Sequence, residues 1–139
     1  ESAIATYEEL LKISPNNIDA MVNMFGLMKT QYPGITLRKL QDLWGQGHMN
    51  ANIAAELGLT SAALGQSDEA LKYLGMAVSM EPNNPLHFYN IAIINDRMGD
   101  KQEAIENYEA ALDKDSSYGA GRTIERKKVY DRLAHLRRL

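Results

Sequence analysis

Three histidines, His48, His87 and His135, are the residues best suited to moving a proton or holding a metal. They lie far apart in the sequence and share no metal-ligand spacing, so each reads as a surface or cap residue. The absence of cysteine excludes disulfides, thiolate metal sites and cysteine nucleophiles. Glu103, Glu106, Glu109 and Asp113 follow helical spacing and read as a solvated outer face. No Gly-rich phosphate loop appears. No nucleophile, base and orienting acid can be picked out. Catalysis is therefore not expected, and no cofactor or metal is called for. The chemistry that remains is recognition. Asn23 and Asn90 carry amides that can bond a ligand backbone as both donor and acceptor.

Those side chains need helices to position them. The stretch 51–118 reads as one 34-residue unit written twice. Gly65 recurs as Gly99, Glu69 as Glu103, Ala70 as Ala104 and Ala77 as Ala111. Leu57-Gly58 is answered by Ile91-Ala92, and Leu74 by Tyr108. A fixed period of this length marks a repeat array. Each unit reads as a helix pair, about 50–64 with 68–80, then 85–98 with 101–114. Gly65 and Gly99 stand where a helix C-terminus takes a left-handed residue. Asp68 and Asp100 suit the starts of second helices. The four alanines are small where helices must cross closely.

Residues 1–17 align without a gap on 68–84, so they read as the second helix of a truncated repeat, with Ala3, Ile4, Tyr7, Leu10 and Leu11 as its stripe. Residues 18–50 read as a degenerate repeat. Its first helix runs from Ile18 to about Gln31, capped by Asn16-Asn17, with Met21, Met24, Phe25 and Met28 inward. Pro33 and Gly34 break it. A second helix follows from about Ile35 to Trp44. At the other end, 116–121 (SSYGAG) reads as a loop. A basic capping helix follows from about Arg122 to Arg138, its stripe being Val129, Tyr130, Leu133 and Leu136. The array expected is thus 1–17, 18–50, 51–84, 85–118 and 119–139, all-α, with about eight helices.

Bulk properties agree. A chain of 139 residues can bury roughly two-thirds of its unfolded surface. Its 45% hydrophobic and 24% charged content are those of a soluble globular protein, and the compartment, cytoplasmic or periplasmic, is left open. No apolar run is long enough to span a membrane. The net charge of −3 is uneven: residues 119–139 carry +5 and the first 118 carry −8. The tail reads first as a solvated terminal helix, and second as a docking surface for an acidic partner or nucleic acid.

The helix-pair pattern resembles the tetratricopeptide repeat. Leu57-Gly58, Gly65, Ala70, Leu74, Ala77 and Pro82 carry the resemblance, followed by Phe88, Ile91-Ala92, Gly99, Ala104, Tyr108 and Ala111. Ser116 stands where the family usually has Pro. The resemblance implies an α-α superhelix whose first helices line a concave groove for extended peptides or partner helices. Residues of first helices not needed in the packing seams then face that groove. They are Asp19, Val22, Asn23, Gly26 and Lys29; Asn52, Ala55, Glu56, Leu59 and Ala63; and Leu86, Tyr89, Asn90, Ile93 and Arg97. Asn23, Glu56 and Asn90 fall on equivalent sites, which reads either as a partial asparagine ladder of the kind the family uses or as two solvated asparagines. Leu59, Leu86, Tyr89 and Ile93 form an apolar patch. Val22, Glu56 and Leu86 occupy sites where a chaperone-tail clamp needs basic or amide groups, which argues against that ligand.

The expected role is a non-enzymatic interaction scaffold in a larger assembly, binding a protein or peptide partner. Two alternatives stay open. Self-association to a homo-oligomer could use the uncovered helix at 1–17 and the basic tail. Nucleic-acid binding by the tail is the weaker one, because no aromatics interleave with its charges.

Overall fold

The computed structural model describes Glu9, Lys12 and residues 17–118 and 123–139. Among them the chain is all-α, with seven helices and no strand. They are α1 (Ile18–Met28), α2 (Pro33–Gly45), α3 (Ala51–Ala63), α4 (Ser67–Met80), α5 (Pro85–Met98), α6 (Lys101–Tyr118) and α7 (Arg126–Arg138). The helix expected over 1–17 lies outside the described residues except at Glu9 and Lys12, both helical and exposed, and at Asn17, which caps the next helix.

The helix starts are written in the sequence. Asn17 accepts from the backbone N–H of Ala20 at 3.0 Å, Asn50 from that of Ile53 at 2.8 Å and Asn84 from that of Leu86 at 3.0 Å. Each cap satisfies a donor that the first helical turn cannot use internally. Pro85 and Pro33 sit in first turns, where the missing N–H costs nothing. Pro33 therefore begins α2 and does not merely break α1, which stops at Met28, short of the expected Gln31.

The helix stops divide by chemistry. Gly65 and Gly99 adopt φ of 77° and 81°, the left-handed conformation that lets the chain leave α3 and α5. Nothing lies within 4 Å of a Cβ added at Gly99, so a substitution there meets only backbone strain. Gly99→Ala should cost about 1 kcal/mol, read from the urea midpoint, with Gly99→Asn closer to wild type.

The end of α6 corrects the reading of 116–121 as a loop. In the preceding repeat α4 stops at Met80, because the residue before Pro82 is pushed out of the helical region. Ser116, at the equivalent site, keeps its backbone donor, and α6 continues to Tyr118. Lys114 lies over the Tyr118 ring at 5.6 Å on that extra turn. The last helix starts at Arg126, not near Arg122, and residues 119–122 lie outside the described set.

Two compact units divide the chain, 1–70 and 71–139, with the boundary inside α4. In the first, α1 and α2 pack with α3, and Phe25, Leu40, Ile53 and Leu57 are fully buried. In the second, α5 packs along α6, and α7 packs on α6. Its core joins Ala92, Ala104, Tyr108 and Ala111 with Ile124, Val129, Leu133 and Leu136. The periodic alanines Ala70, Ala77, Ala104 and Ala111 all have 0% exposure, which is why no larger residue fits the pattern there. Tyr130, expected in the α7 stripe, points to solvent instead. Val129, Leu133 and Leu136 alone make that stripe.

Candidate functional site

The nine residues expected on a binding face are divided between the units. Asn23, Asn52, Glu56 and Leu59 lie in the first; Leu86, Tyr89, Asn90, Ile93 and Arg97 lie in the second.

In the first unit α1 and α3 present Asn23 and Asn52 to solvent, with Glu56 and Leu59 half-buried. Glu56 is engaged already. The Lys29 ammonium donates to its two oxygens at 3.0 and 3.3 Å. The carboxylate lies against α1 at Gly26, where a Cβ would make an ordinary contact at 3.6 Å with Glu56 Oε2. Val22 and Ala55, expected on the same face, are buried and serve the core. The outcome is a polar, charge-paired surface flanked by two free amides.

In the second unit Leu86 and Arg97 are exposed and Tyr89, Asn90 and Ile93 are half-buried. Tyr89 and Ile93 pack against the core cluster that includes α7. The Tyr89 ring stands 6.3 Å from Tyr108, tilted by 59°, an arrangement that suits the quadrupoles of two rings. The apolar face of α5 is therefore anchored from below and only partly open above.

Asp96, which the sequence did not single out, organises this region. The Arg132 guanidinium donates to it through Nε and Nη2, both at 2.6 Å, and the Tyr108 hydroxyl donates at 3.1 Å. The Arg132 bonds hold the Asp96 carboxyl below the usual carboxylate range, outweighing burial, with the Tyr108 hydroxyl and the nearby His135 helping. Burial, and then Asp96, push the Tyr108 phenol well above its ordinary value.

The basic tail is not simply solvated. The Arg126 Nη1 donates to Asp115 at 2.8 Å and Arg137 to Glu109 at 3.0 Å, while Lys127 and Lys128 pair within α7 with Asp131 and Glu125. Asp115 is fully buried and also accepts from the backbone N–H of Thr123 at 2.7 Å. The sequence hid the pairs made by Arg126, Arg132 and Arg137, because their partners are 11 to 36 residues away and fall on no period.

Of the three histidines, His48 and His135 are exposed as expected. His87 is buried, with Nε2 2.8 Å from Glu81 Oε1 across the Pro-Asn-Asn-Pro turn. That contact, then the Asn84 amide, lowers the Glu81 carboxyl. Among the described residues no group of His, Asp and Glu could hold a metal, and no helix is long and apolar enough to cross a membrane.

Short helices paired through small residues, with glycine at the first-helix stops, define a helical-repeat protein of the α-α superhelix class. The repeat is the tetratricopeptide repeat: its family model matches residues 51–84 and 88–117. No curated protein matches the chain by sequence. Solved structures match by fold. The type III secretion translocator chaperone SycD of Yersinia enterocolitica has a TM-score of 0.77 at 15% identity, over 88% of this chain and 85% of that one. PcrH bound to the chaperone-binding region of PopD scores 0.71 at 19% identity, over 83% and 87%. MamA scores 0.68 at 20% identity, over 97% and 77%. At these identities the likeness is one of fold.

Proposed function

We propose that this chain is a non-enzymatic protein-interaction scaffold that takes a peptide segment or partner helix on the first-helix face of its repeats. The observation that carries the reading is the α5 face. Leu86, Tyr89, Asn90 and Ile93 share one side of a helix, and Tyr89 is fixed by Tyr108 before any partner arrives. A preorganised aromatic beside a free amide supplies buried area and backbone hydrogen bonding at low entropic cost. The fold supports it as well, since PcrH is a structure with a bound partner segment. Catalysis has no supporting constellation on either face. Nucleic acid is a poorer occupant, because five basic residues of the tail are paired within the chain.

The test is recovery of partner protein by immobilised chain, followed by affinity measurement with the recovered segment. Tyr89→Ala and Asn90→Ala should each weaken binding about tenfold, as central interface residues do. Circular dichroism must show both variants folded. Undiminished recovery by both would sink the α5-face reading.

A further inference from the structure

The second unit places charge as well as apolar surface along the α5 face, and that charge has one sign to spare. Arg97 follows Asp96 on α5, is exposed and has no ion-pair partner among the described residues. Arg132 on α7 spends Nε and Nη2 on Asp96 and keeps 43% of its side chain exposed, with Nη1 in no hydrogen bond among the described residues. His135 lies one turn further along α7, exposed and near enough to Asp96 to act on its carboxyl. Asp96 is thus neutralised by the bidentate contact, and Arg97 is left without an ion-pair partner among the described residues. Tyr89 and Ile93 line the same side of α5.

We propose that the partner segment taken by this face is acidic and amphipathic: its apolar residues meet Leu86, Tyr89 and Ile93, and its carboxylates meet Arg97 and the free edge of Arg132. The proposal rests on the α5-face reading and adds the chemistry of the occupant. Arg97 and Arg132 are exposed, and exposed charge selects the partner and speeds encounter more than it tightens the complex. A planar guanidinium with an unused edge offers directed donors to a carboxylate. The Asp96 carboxylate cannot satisfy Arg97 in the same way, because Arg132 and Tyr108 already hold both of its oxygens.

The probe is a set of three labelled peptides of one length and one leucine pattern, with Glu, Gln or Lys at every other position. Fluorescence anisotropy with the full chain should rank them Glu, then Gln, then Lys. The preference for Glu should fade as salt is raised. Arg97→Glu should weaken the Glu peptide roughly fivefold and leave the Gln peptide unchanged, with Arg97→Lys restoring most of the loss. Equal binding of the Glu and Gln peptides overturns the acidic preference and leaves the α5-face reading standing if Tyr89→Ala still weakens both. Failure of all three peptides, with partner recovery still dependent on Tyr89, overturns this inference alone. Two results would assign the face to another occupant and overturn it too. One is a concentration-dependent dimer broken by Arg97→Glu. The other is a single-stranded oligonucleotide that displaces the Glu peptide and loses affinity with Arg97→Glu.

Discussion

Asp115→Ala should destabilise the second unit by about 3 kcal/mol, near the low end for breaking a buried ion pair. The carboxylate is fully buried and accepts at once from the Arg126 guanidinium and the Thr123 backbone N–H, so it ties the start of α7 and the residues before it to α6. Removing it takes the acceptor from the Thr123 backbone N–H and leaves Arg126 Nη1 with the Leu112 carbonyl, at 3.3 Å, in place of a carboxylate. Arg126 keeps a quarter of its side chain in water and still donates to the Tyr130 hydroxyl at 2.9 Å, which limits the loss. Asp115→Asn retains an acceptor for Thr123 and should cost about half as much, roughly 1.5 kcal/mol. Urea unfolding followed by circular dichroism measures both.

The same residue predicts a pH dependence. Burial raises the Asp115 carboxyl, but the bonds from Arg126 and Thr123 outweigh it and hold the group below the ordinary carboxylate value. Asp96 is lowered as well, chiefly by Arg132. A carboxyl lowered in the folded state binds fewer protons than it does unfolded. Its stabilisation is therefore complete above the unfolded value, about 3.9, and is lost as pH falls from there through the lower folded value. Wild type should lose stability steeply in that acid window. Asp115→Ala should show a shallower slope there, and a slope unchanged by the substitution would contradict this account.

What the sequence made legible is what repeats. Ala70, Ala77, Ala104 and Ala111 are spaced by the helix-pair period because each fills a crossing where a Cβ is the largest group that fits. Gly65 and Gly99 are visible because only glycine takes their φ without strain, and Asn17 and Asn84 because their oxygens cap helices within three residues. These are local or periodic constraints. Asp96, Asp115 and His87 obey neither kind. Arg132 and Arg126 reach Asp96 and Asp115 through tertiary packing and Glu81 reaches His87 across a turn, so a histidine read as a surface or cap residue proves buried. Ser116 shows the reverse case. One departure from the family's proline was visible, but its consequence, an α6 longer than its counterpart α4, needed the helix itself to be seen. Of the residues expected on the candidate face, Asn23, Asn52, Leu86 and Arg97 are exposed. Val22 and Ala55 went inward, because α1 and α3 each bury more than a narrow stripe.

Tyr108→Ala carries the other large expected effect, about 4 kcal/mol, as for deletion of a buried aromatic ring. Tyr108 is 5% exposed within the cluster that joins α5, α6 and α7, so its removal opens a cavity that three helices cannot close together. Tyr108→Phe separates the ring from the hydroxyl. The phenylalanine keeps the packing and the tilted contact with Tyr89, while Asp96 loses one donor and retains Arg132. That variant should cost about 1 kcal/mol, the usual net value of one hydrogen bond. Partner affinity should divide the two in the same order. If Tyr108 acts on the α5 face by fixing the Tyr89 ring, Phe preserves binding and Ala weakens it even where the protein remains folded. Equal binding by both folded variants would show that Tyr89 holds its position without the ring beneath it, and that preorganisation of the face comes from α5 alone.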